Sequence, residues 1–129
     1  MRQDLEDQLV KDFPNLYRNY GKSPQESCMA FGCECGDGWF RLIYNTSEKL
    51  EQMILELPEK DRSAYGAAQI KQKFGELRIY LDSCTDEMFD VTMNAGEESK
   101  TICEQCGKPG KLREIGRWLY TSCEEHKRI

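Results

Sequence analysis

Three segments of the chain carry apolar residues at the spacing of a helix with one buried face. They are residues 2–13, 38–57 and 85–98. The middle segment is the most regular, because its apolar residues form one stripe at i, i+3 and i+4 positions. That stripe consists of Trp39, Leu42, Ile43, Leu50, Met53, Ile54 and Leu57. Pro14 and Pro58 follow the first two segments and predict where those helices end.

Two of these helices are preceded by residues whose side chains can accept a hydrogen bond from the backbone. Asp37 precedes the middle helix, and Ser83 or Thr85 precedes the third. Side chains of this kind satisfy free N–H groups in the first helical turn. We therefore expect Asp37, and either Ser83 or Thr85, to be N-caps.

Between the second and third helices the pattern changes to period two. Residues 77–81 alternate apolar and polar side chains, residues 70–74 do the same, and Gly75 lies between the two runs. We predict extended structure over residues 69–81, with a turn or bulge at Gly75. A short helix over residues 67–74, ended by Gly75, is the competing interpretation. The glycines and proline within residues 19–38 predict a loop there.

Composition narrows the class of protein. The chain has 129 residues, a size typical of one domain, and a net charge of −5. That charge argues against a protein that coats DNA or RNA through charge alone. No apolar run approaches the length of a membrane span, and the first seven residues are unlike a secretory signal. We expect a cytoplasmic protein without a membrane partner.

Four residues near the end of the chain have the spacing of a zinc site. Cys103 and Cys106 are separated by two residues, as are Cys123 and His126, and sixteen residues lie between the pairs. Three thiolates and one imidazole complete a tetrahedral shell with no open position for water, so we expect a structural zinc ion. A C-x-x-C redox motif is the weaker interpretation, because Gly107 and other helix-breaking residues follow.

The insert between the two ligand pairs divides into a hairpin. Residues 112–115 form one arm, Gly116 the turn and residues 117–121 the other arm. A short terminal helix over residues 123–128 would then carry the second ligand pair. This order of elements predicts a module like a treble clef.

The other four cysteines are Cys28, Cys33, Cys35 and Cys84. A second zinc site is one interpretation, but their spacing is irregular for that role. Buried thiols are the interpretation we prefer, since free cysteine is among the most buried residue types.

Catalytic chemistry has little support in the sequence. The zinc site takes His126, the only histidine, which removes Cys–His and Ser–His nucleophile pairs. Glu34 and Asp37 flank a glycine-rich segment and could hold Mg²⁺ for chemistry on phosphate esters. We therefore leave enzymatic activity open and favour a protein without it.

Five basic residues are candidates for binding a ligand: Lys71, Lys73, Arg78, Arg113 and Arg117. Such cations hold phosphates, and nearby aromatic faces can stack a base. For Trp118 and Tyr120, however, we favour a role in covering the zinc, because small zinc modules need aromatic residues to build a core.

Three stretches of the sequence carry distinctive motifs: FGCECGDGW at 31–39, IKQKFGELR at 70–78, and the zinc segment from Cys103 to His126 with its LR pair and Trp118. These stretches resemble a family of small zinc-binding proteins from phages and bacterial prophage regions. The similarity extends over about residues 26–126, nearly the whole chain. The resemblance implies a phage or prophage accessory protein and implies no particular reaction. Cys33 stands where we expect an apolar residue, which favours packing over ligation.

We therefore expect an α+β fold in one domain, with helices on a small antiparallel sheet over residues 1–100. The zinc module, residues 101–129, docks against that body. Our first functional hypothesis is a non-enzymatic accessory protein that acts in counter-defence by sequestering a host nucleotide signal or a host protein. A homo-oligomer is compatible with this hypothesis. The alternatives are a zinc-supported protein that binds nucleic acid or a transcription complex, and a carboxylate- and Mg²⁺-dependent phosphoesterase.

Overall fold

The computed structural model describes residues 1–128. Within them lie three α-helices and five strands, so the α+β class is confirmed. The helices are α1 (Gln3–Asp12), α2 (Phe40–Leu55) and α3 (Asp86–Ser99). The strands are β1 (Cys33–Glu34), β2 (Ala67–Lys73), β3 (Glu76–Leu81), β4 (Lys111–Ile115) and β5 (Trp118–Ser122). No helix among these is long and apolar enough to cross a bilayer.

The helices begin differently from one another. At α3 the hydroxyl of Thr85 accepts a 3.1 Å hydrogen bond from the Met88 N–H, which confirms the predicted cap. Asp37 does not cap α2, so that prediction is wrong. A 3-10 turn, Asp37–Trp39, precedes this helix, and the Asp37 carboxylate instead accepts a 2.8 Å hydrogen bond from the Arg2 N–H.

The period-two segment forms a hairpin of two antiparallel strands, β2 and β3, with Lys71 opposite Arg78. The helix over residues 67–74 is therefore wrong. Phe74 and Gly75 make the turn, both with positive φ angles, of 55° and 78°. Paired positive angles are what a tight hairpin turn requires, and glycine adopts them at least cost.

The sheet has a third strand that the sequence pattern does not reveal. The two-residue strand β1 pairs in parallel with β2, placing Cys33 opposite Ile70. The sheet is thus mixed rather than wholly antiparallel, and residues 19–38 are not loop throughout. Two residues are too few to show an alternating pattern, so only pairing with β2 defines this strand.

One hydrophobic core joins α1, α2, α3 and the three-stranded sheet. Leu9, Ile43, Leu50 and Ile70 are fully buried in it. Trp39 is also fully buried, and its indole N–H donates a 2.9 Å hydrogen bond to the Ile102 carbonyl oxygen. This bond ties the core to the segment that carries the zinc-type ligands.

Two buried carboxylates hold the loops around this core. Glu51 accepts a 2.8 Å hydrogen bond from the Leu16 N–H and another of 2.8 Å from the Asn15 amide. Glu6 accepts one of 2.8 Å from the Cys33 N–H and one of 2.9 Å from the Tyr20 hydroxyl. Buried backbone N–H groups need partners, and here side chains from α1 and α2 supply them.

Candidate metal centre and an adjoining groove

The four residues with zinc-type spacing converge in the structure. The ligand atoms of Cys103, Cys106, Cys123 and His126 all lie within 4.8 Å of one another. The Cys123 sulfur is 3.2 Å and the Cys103 sulfur 3.6 Å from Nδ1 of His126. The sulfurs of Cys106 and Cys123 are 3.6 Å apart. A tetrahedral ion with metal–sulfur bonds of about 2.3 Å needs ligand atoms roughly 3.5–3.8 Å apart, so the cluster can hold a metal ion.

The surroundings favour the thiolate at two of the four residues, Cys103 and Cys123. Hydrogen bonds to the Cys123 and Cys103 sulfurs raise the pKa of His126. A hydrogen bond from the Lys108 backbone lowers the pKa of Cys106, but burial and the Cys123 and Cys103 side chains outweigh it, so that this pKa is also raised. Burial raises the pKa of the Cys103 thiol, but the backbone N–H groups of Cys123, Cys106 and Gln105 lower it to about 6. Burial also raises the pKa of Cys123, and hydrogen bonds from the side chain and backbone of His126 lower it overall. Thiolates are the metal-binding form of cysteine, so this donor set fits a cation.

Local turns place each pair of ligands. After Cys103, a tight loop is closed by two hydrogen bonds, from the Gly107 N–H to the Cys103 carbonyl oxygen at 2.9 Å and from the Cys103 N–H to the Lys108 carbonyl oxygen at 2.8 Å. The predicted hairpin is confirmed as β4 and β5, with Gly116 at the turn. The predicted terminal helix over residues 123–128 is shorter, a single 3-10 turn at Glu124–His126.

The glycine-rich segment after β1 is the surface on which the first ligand loop rests. The Gly38 N–H donates a 2.7 Å hydrogen bond to the Glu104 carbonyl oxygen, and the Gly36 N–H donates one of 2.9 Å to the Glu104 carboxylate. A Cβ at Gly36 would overlap the Glu104 carbonyl, and one at Gly38 would overlap the Cys103 carbonyl. Only glycine at both positions permits this close approach.

A second glycine contact, at Gly75, holds the hairpin of the metal module against the sheet. Gly75, in the β2–β3 turn, lies so close to Leu112 and the Tyr120 backbone that a Cβ there would meet both. Its carbonyl oxygen accepts a buried 2.7 Å hydrogen bond from the Thr121 hydroxyl. The metal module is therefore joined to the body through two separate glycine contacts.

The remaining cysteines divide into two classes. Cys33 and Cys35 are buried, as predicted, whereas Cys28 and Cys84 are exposed, so the prediction of buried thiols is wrong for those two. Burial and then the charge of Glu6 raise the pKa of Cys33 to about 12. Within residues 1–128 these cysteines form no second cluster of potential metal ligands.

The two carboxylates considered for Mg²⁺ have other partners. Asp37 is held by the Arg2 N–H at 2.8 Å and faces its guanidinium at 3.7 Å. Glu34 accepts a 3.4 Å hydrogen bond from the Gln69 amide. In the part of the chain that the structure describes, neither belongs to a group of three or more potential metal ligands.

Three of the five predicted ligand-binding cations meet in one groove of about 530 Å³. Its lining includes Lys71 and Lys73 on one wall and Arg117 on the other. None of the three lies within 4.0 Å of a carboxylate of residues 1–128. Two exposed aromatic side chains also line it, Phe74 at 64% exposure and Trp118 at 73%. We refer to this feature as the cationic groove.

The other two predicted cations are already paired. Arg78 faces the Glu76 carboxylate at 3.6 Å. Arg113 donates a 2.9 Å hydrogen bond to Glu124 and one of 3.2 Å to the Ser122 carbonyl oxygen, and its side chain is only 12% exposed. The structure thus separates these two from the cationic groove.

Of the two aromatic residues expected to cover the zinc, only one is buried. Tyr120 is buried, as expected of a residue that covers the metal module, but Trp118 is exposed and does not. Sequence reasoning missed Phe74, although its place beside Gly75 in a predicted turn was a clue. A residue at a hairpin turn projects away from the core, which is why Phe74 can line a groove.

Comparison of the chain with protein-family models, with curated proteins and with solved structures gives no match in any of the three. The resemblance to phage and prophage zinc proteins therefore stays a prediction.

Proposed function

We propose that this is a non-enzymatic binding protein, supported by a structural zinc ion, that takes a nucleotide-type ligand in the cationic groove. Zinc is the ion that suits three thiolates and one imidazole in a tetrahedron. Bound there, it supplies structural crosslinking and no open coordination position for a substrate. Cys103, Cys106, Cys123 and His126 would hold it.

We infer the class of ligand from one observation: cations and exposed aromatic side chains line the same groove. Lys71, Lys73 and Arg117 lack ion-pair partners among residues 1–128, and such cations attract phosphate oxygens. Phe74 and Trp118 expose ring faces on which a base can stack. A phosphorylated nucleoside combines both requirements in one molecule.

The groove depends on the metal centre. One wall belongs to the β2–β3 hairpin of the body, and the other to the β4–β5 hairpin that the ligand pairs enclose. Releasing the metal would leave the second hairpin held to the sheet by its contacts with Gly75 and no longer by the metal, so Arg117 and Trp118 would lose their fixed positions beside the first wall. Ligand binding should therefore require zinc, although zinc itself does not touch the ligand.

The resemblance to phage and prophage proteins makes counter-defence the biological role that we propose. A protein that binds a host nucleotide signal without converting it to another compound would keep that signal away from its receptor. The same logic applies to a host protein as the sequestered partner. The cationic groove favours the nucleotide.

Native mass spectrometry of the protein purified without chelator tests this proposal. We expect one zinc ion per chain and added mass of a few hundred daltons, released intact on denaturation. Titration with unlabelled nucleotides, followed by Trp118 fluorescence, then measures affinity. Trp39 is buried, so a change on binding reports the exposed Trp118.

Matched variants decide whether the cationic groove is the site. Lys71→Ser with Lys73→Ser should weaken binding about tenfold or more, whereas Lys11→Ser, on an exposed position of α1, should not. Conversion of the nucleotide to a product of different mass would contradict a non-enzymatic role. Equal affinity in both variants would contradict the assigned site.

Nucleic acid is the second candidate, because an unpaired base within a strand can stack on the same two aromatic faces. The net charge of −5 opposes it. The two candidates differ in salt dependence: a strand that contacts several cations loses affinity steeply as salt rises, and a mononucleotide much less. No observation favours the phosphoesterase.

A further inference from the structure

Helix α3 is apolar on two sides, and only one of them is covered. Met88 and Ala95 are buried against the core. Phe89 and Met93, one turn apart on another side, are 55% and 48% exposed. A surface helix of a globular protein normally carries one apolar face. The second face needs an explanation, and neither the metal centre nor the cationic groove provides it.

The exposed face of α3 forms one wall of a second groove, of about 530 Å³, between α3 and β3. Strand β3 forms the other wall and contributes Tyr80, which is 41% exposed. Three large apolar side chains from two elements thus border one concave surface. Grouped exposure of this kind marks a contact site more often than scattered single residues do.

Helix α3, which forms one wall of this groove, lies in an acidic segment of the chain. Residues 82–98 contain six acidic residues and no Lys or Arg. Asp86, Glu87 and Asp90 have no cation within 4.0 Å in the described residues, and Glu97 pairs only with Lys100. The one cation in the lining, Arg78, already faces Glu76. The two acidic residues in the lining, Glu76 and Glu97, each have a cationic partner. The unpaired negative charge beside the groove is therefore that of Asp86, Glu87 and Asp90 on α3, and we call this groove the acidic groove.

The spacing of residues along α3 makes the exposed apolar side chains and the unpaired carboxylates neighbours on the helix surface. Asp86 precedes Phe89 by three residues and Asp90 by four, and Asp90 precedes Met93 by three. Residues three and four apart are neighbours on a helix surface. An occupant that places an apolar side chain between Phe89 and Met93 therefore brings its own flanking groups close to the two carboxylates.

We propose that the acidic groove docks a basic segment of a partner protein. An apolar side chain of that segment packs among Tyr80, Phe89 and Met93, and its Lys or Arg residues face Asp86 and Asp90. Charge complementarity selects this occupant, since the carboxylates repel nucleic acid and anionic lipid surfaces. This site is separate from the cationic groove, so the protein would bind two ligands of opposite charge.

The test uses the zinc-loaded full chain and fluorescein-labelled synthetic peptides, with binding measured by fluorescence anisotropy. The probe alternates lysine and leucine; one comparison peptide replaces leucine with serine, and the other replaces lysine with glutamate. We expect the lysine–leucine peptide to bind about tenfold or more tightly than either of the others. Equal binding of the lysine–serine peptide would show attraction by charge alone and overturn the proposal, as would no binding of the probe.

Variants locate the binding. Phe89→Ser with Met93→Ser should weaken the probe about tenfold, and Phe31→Ser, at an apolar residue that is 59% exposed elsewhere, should not. Asp86→Asn with Asp90→Asn should weaken binding and flatten its salt dependence, unlike Glu48→Gln with Glu56→Gln on α2 and just after it. Unchanged binding in the Phe89 and Met93 variant overturns the proposal.

Two further measurements separate this proposal from its competitors. If sedimentation shows a concentration-dependent dimer that the Phe89 and Met93 variant abolishes, the occupant is a second copy of the chain and the proposal fails. Trp118→Ser, which alters the cationic groove, should leave peptide binding unchanged. Loss of peptide binding in that variant would place the peptide in the other groove and equally overturn the proposal.

Discussion

The N–H of Gly38 donates a 2.7 Å hydrogen bond to the carbonyl oxygen of Glu104, the residue that follows Cys103, the first of the four candidate metal ligands. The contact is possible only because Gly38 has no Cβ, which would overlap the Cys103 carbonyl. The glycine-rich segment, with flanking carboxylates considered as Mg²⁺ ligands, thus supports the metal module. The fold and the metal centre are coupled at this point.

Substitution of Gly38 by alanine should disrupt this contact between the glycine-rich segment and the metal module. The added methyl group has rigid backbone on its far side, so the metal loop must shift. We expect a loss of about 3 kcal/mol in the free energy of unfolding, together with faster zinc release. Chemical denaturation and a chromogenic zinc-chelator assay measure the two effects.

Gly21→Ala is the matched control for that substitution. Gly21 has a φ of 87° but nothing within 4 Å of its Cβ position, so alanine there adds backbone strain without a clash. A cost of about 1 kcal/mol and unchanged zinc release are expected. Equal effects of the two variants would show that the clash at Gly38 is unimportant.

Removal of one metal ligand should unfold the C-terminal module first. Cys106→Ser should abolish stoichiometric zinc binding, measured by elemental analysis, and lower the free energy of unfolding by about 3 kcal/mol or more. Hydrogen exchange should speed up in β4 and β5 before it does in the core of α2. Cys28→Ser removes an exposed thiol outside the cluster and should change neither quantity. A chelated protein as stable as the zinc-loaded one would exclude a structural zinc.

The buried carboxylate of Glu51 gives a prediction about the body of the protein. Glu51→Ala leaves the buried Leu16 N–H without its acceptor, so we expect a loss of about 2–3 kcal/mol. Glu48→Ala, at an exposed position of the same helix, should change stability by no more than about 0.5 kcal/mol. Urea denaturation compares them, and similar midpoints would contradict the role assigned to Glu51.

The buried thiol of Cys33 predicts instability in alkali. Burial and the charge of Glu6 raise its pKa from 9.0 to about 12. Between those pH values the unfolded chain has lost the Cys33 proton while the folded chain keeps it. The folded state therefore binds more protons, and its stability falls as the pH rises, by up to about 1.4 kcal/mol per pH unit.

Cys33→Ala should remove that contribution. The free energy of unfolding of the variant should depend less steeply on pH between about pH 9 and pH 12. Below that window the thiol is protonated in both states, so the two proteins should show parallel curves. Identical slopes above about pH 9 would mean that the Cys33 thiol ionises in the folded protein as readily as in the unfolded chain.

Local patterns predicted much of this structure. The stripe of α2, the alternation in β2 and β3, and the two ligand pairs are each properties of a short stretch of chain. Helical and strand periodicity arise from backbone geometry, and a zinc-type pair needs only two residues between its ligands. These features survive in the fold because tertiary contacts did not oppose them.

Other features were decided only when distant segments met. The parallel strand β1 exists because β2 lies beside it. The Asp37 carboxylate accepts its hydrogen bond from the Arg2 N–H rather than from an N–H in the first turn of α2. Trp118 is exposed although Tyr120, two residues away on the same strand, is buried. The sequence by itself determined the class of fold, the hairpins and the ligand quartet. The tertiary structure decided which cations stay free, which aromatic residues face solvent and where the metal module rests, because these depend on packing between segments remote in sequence.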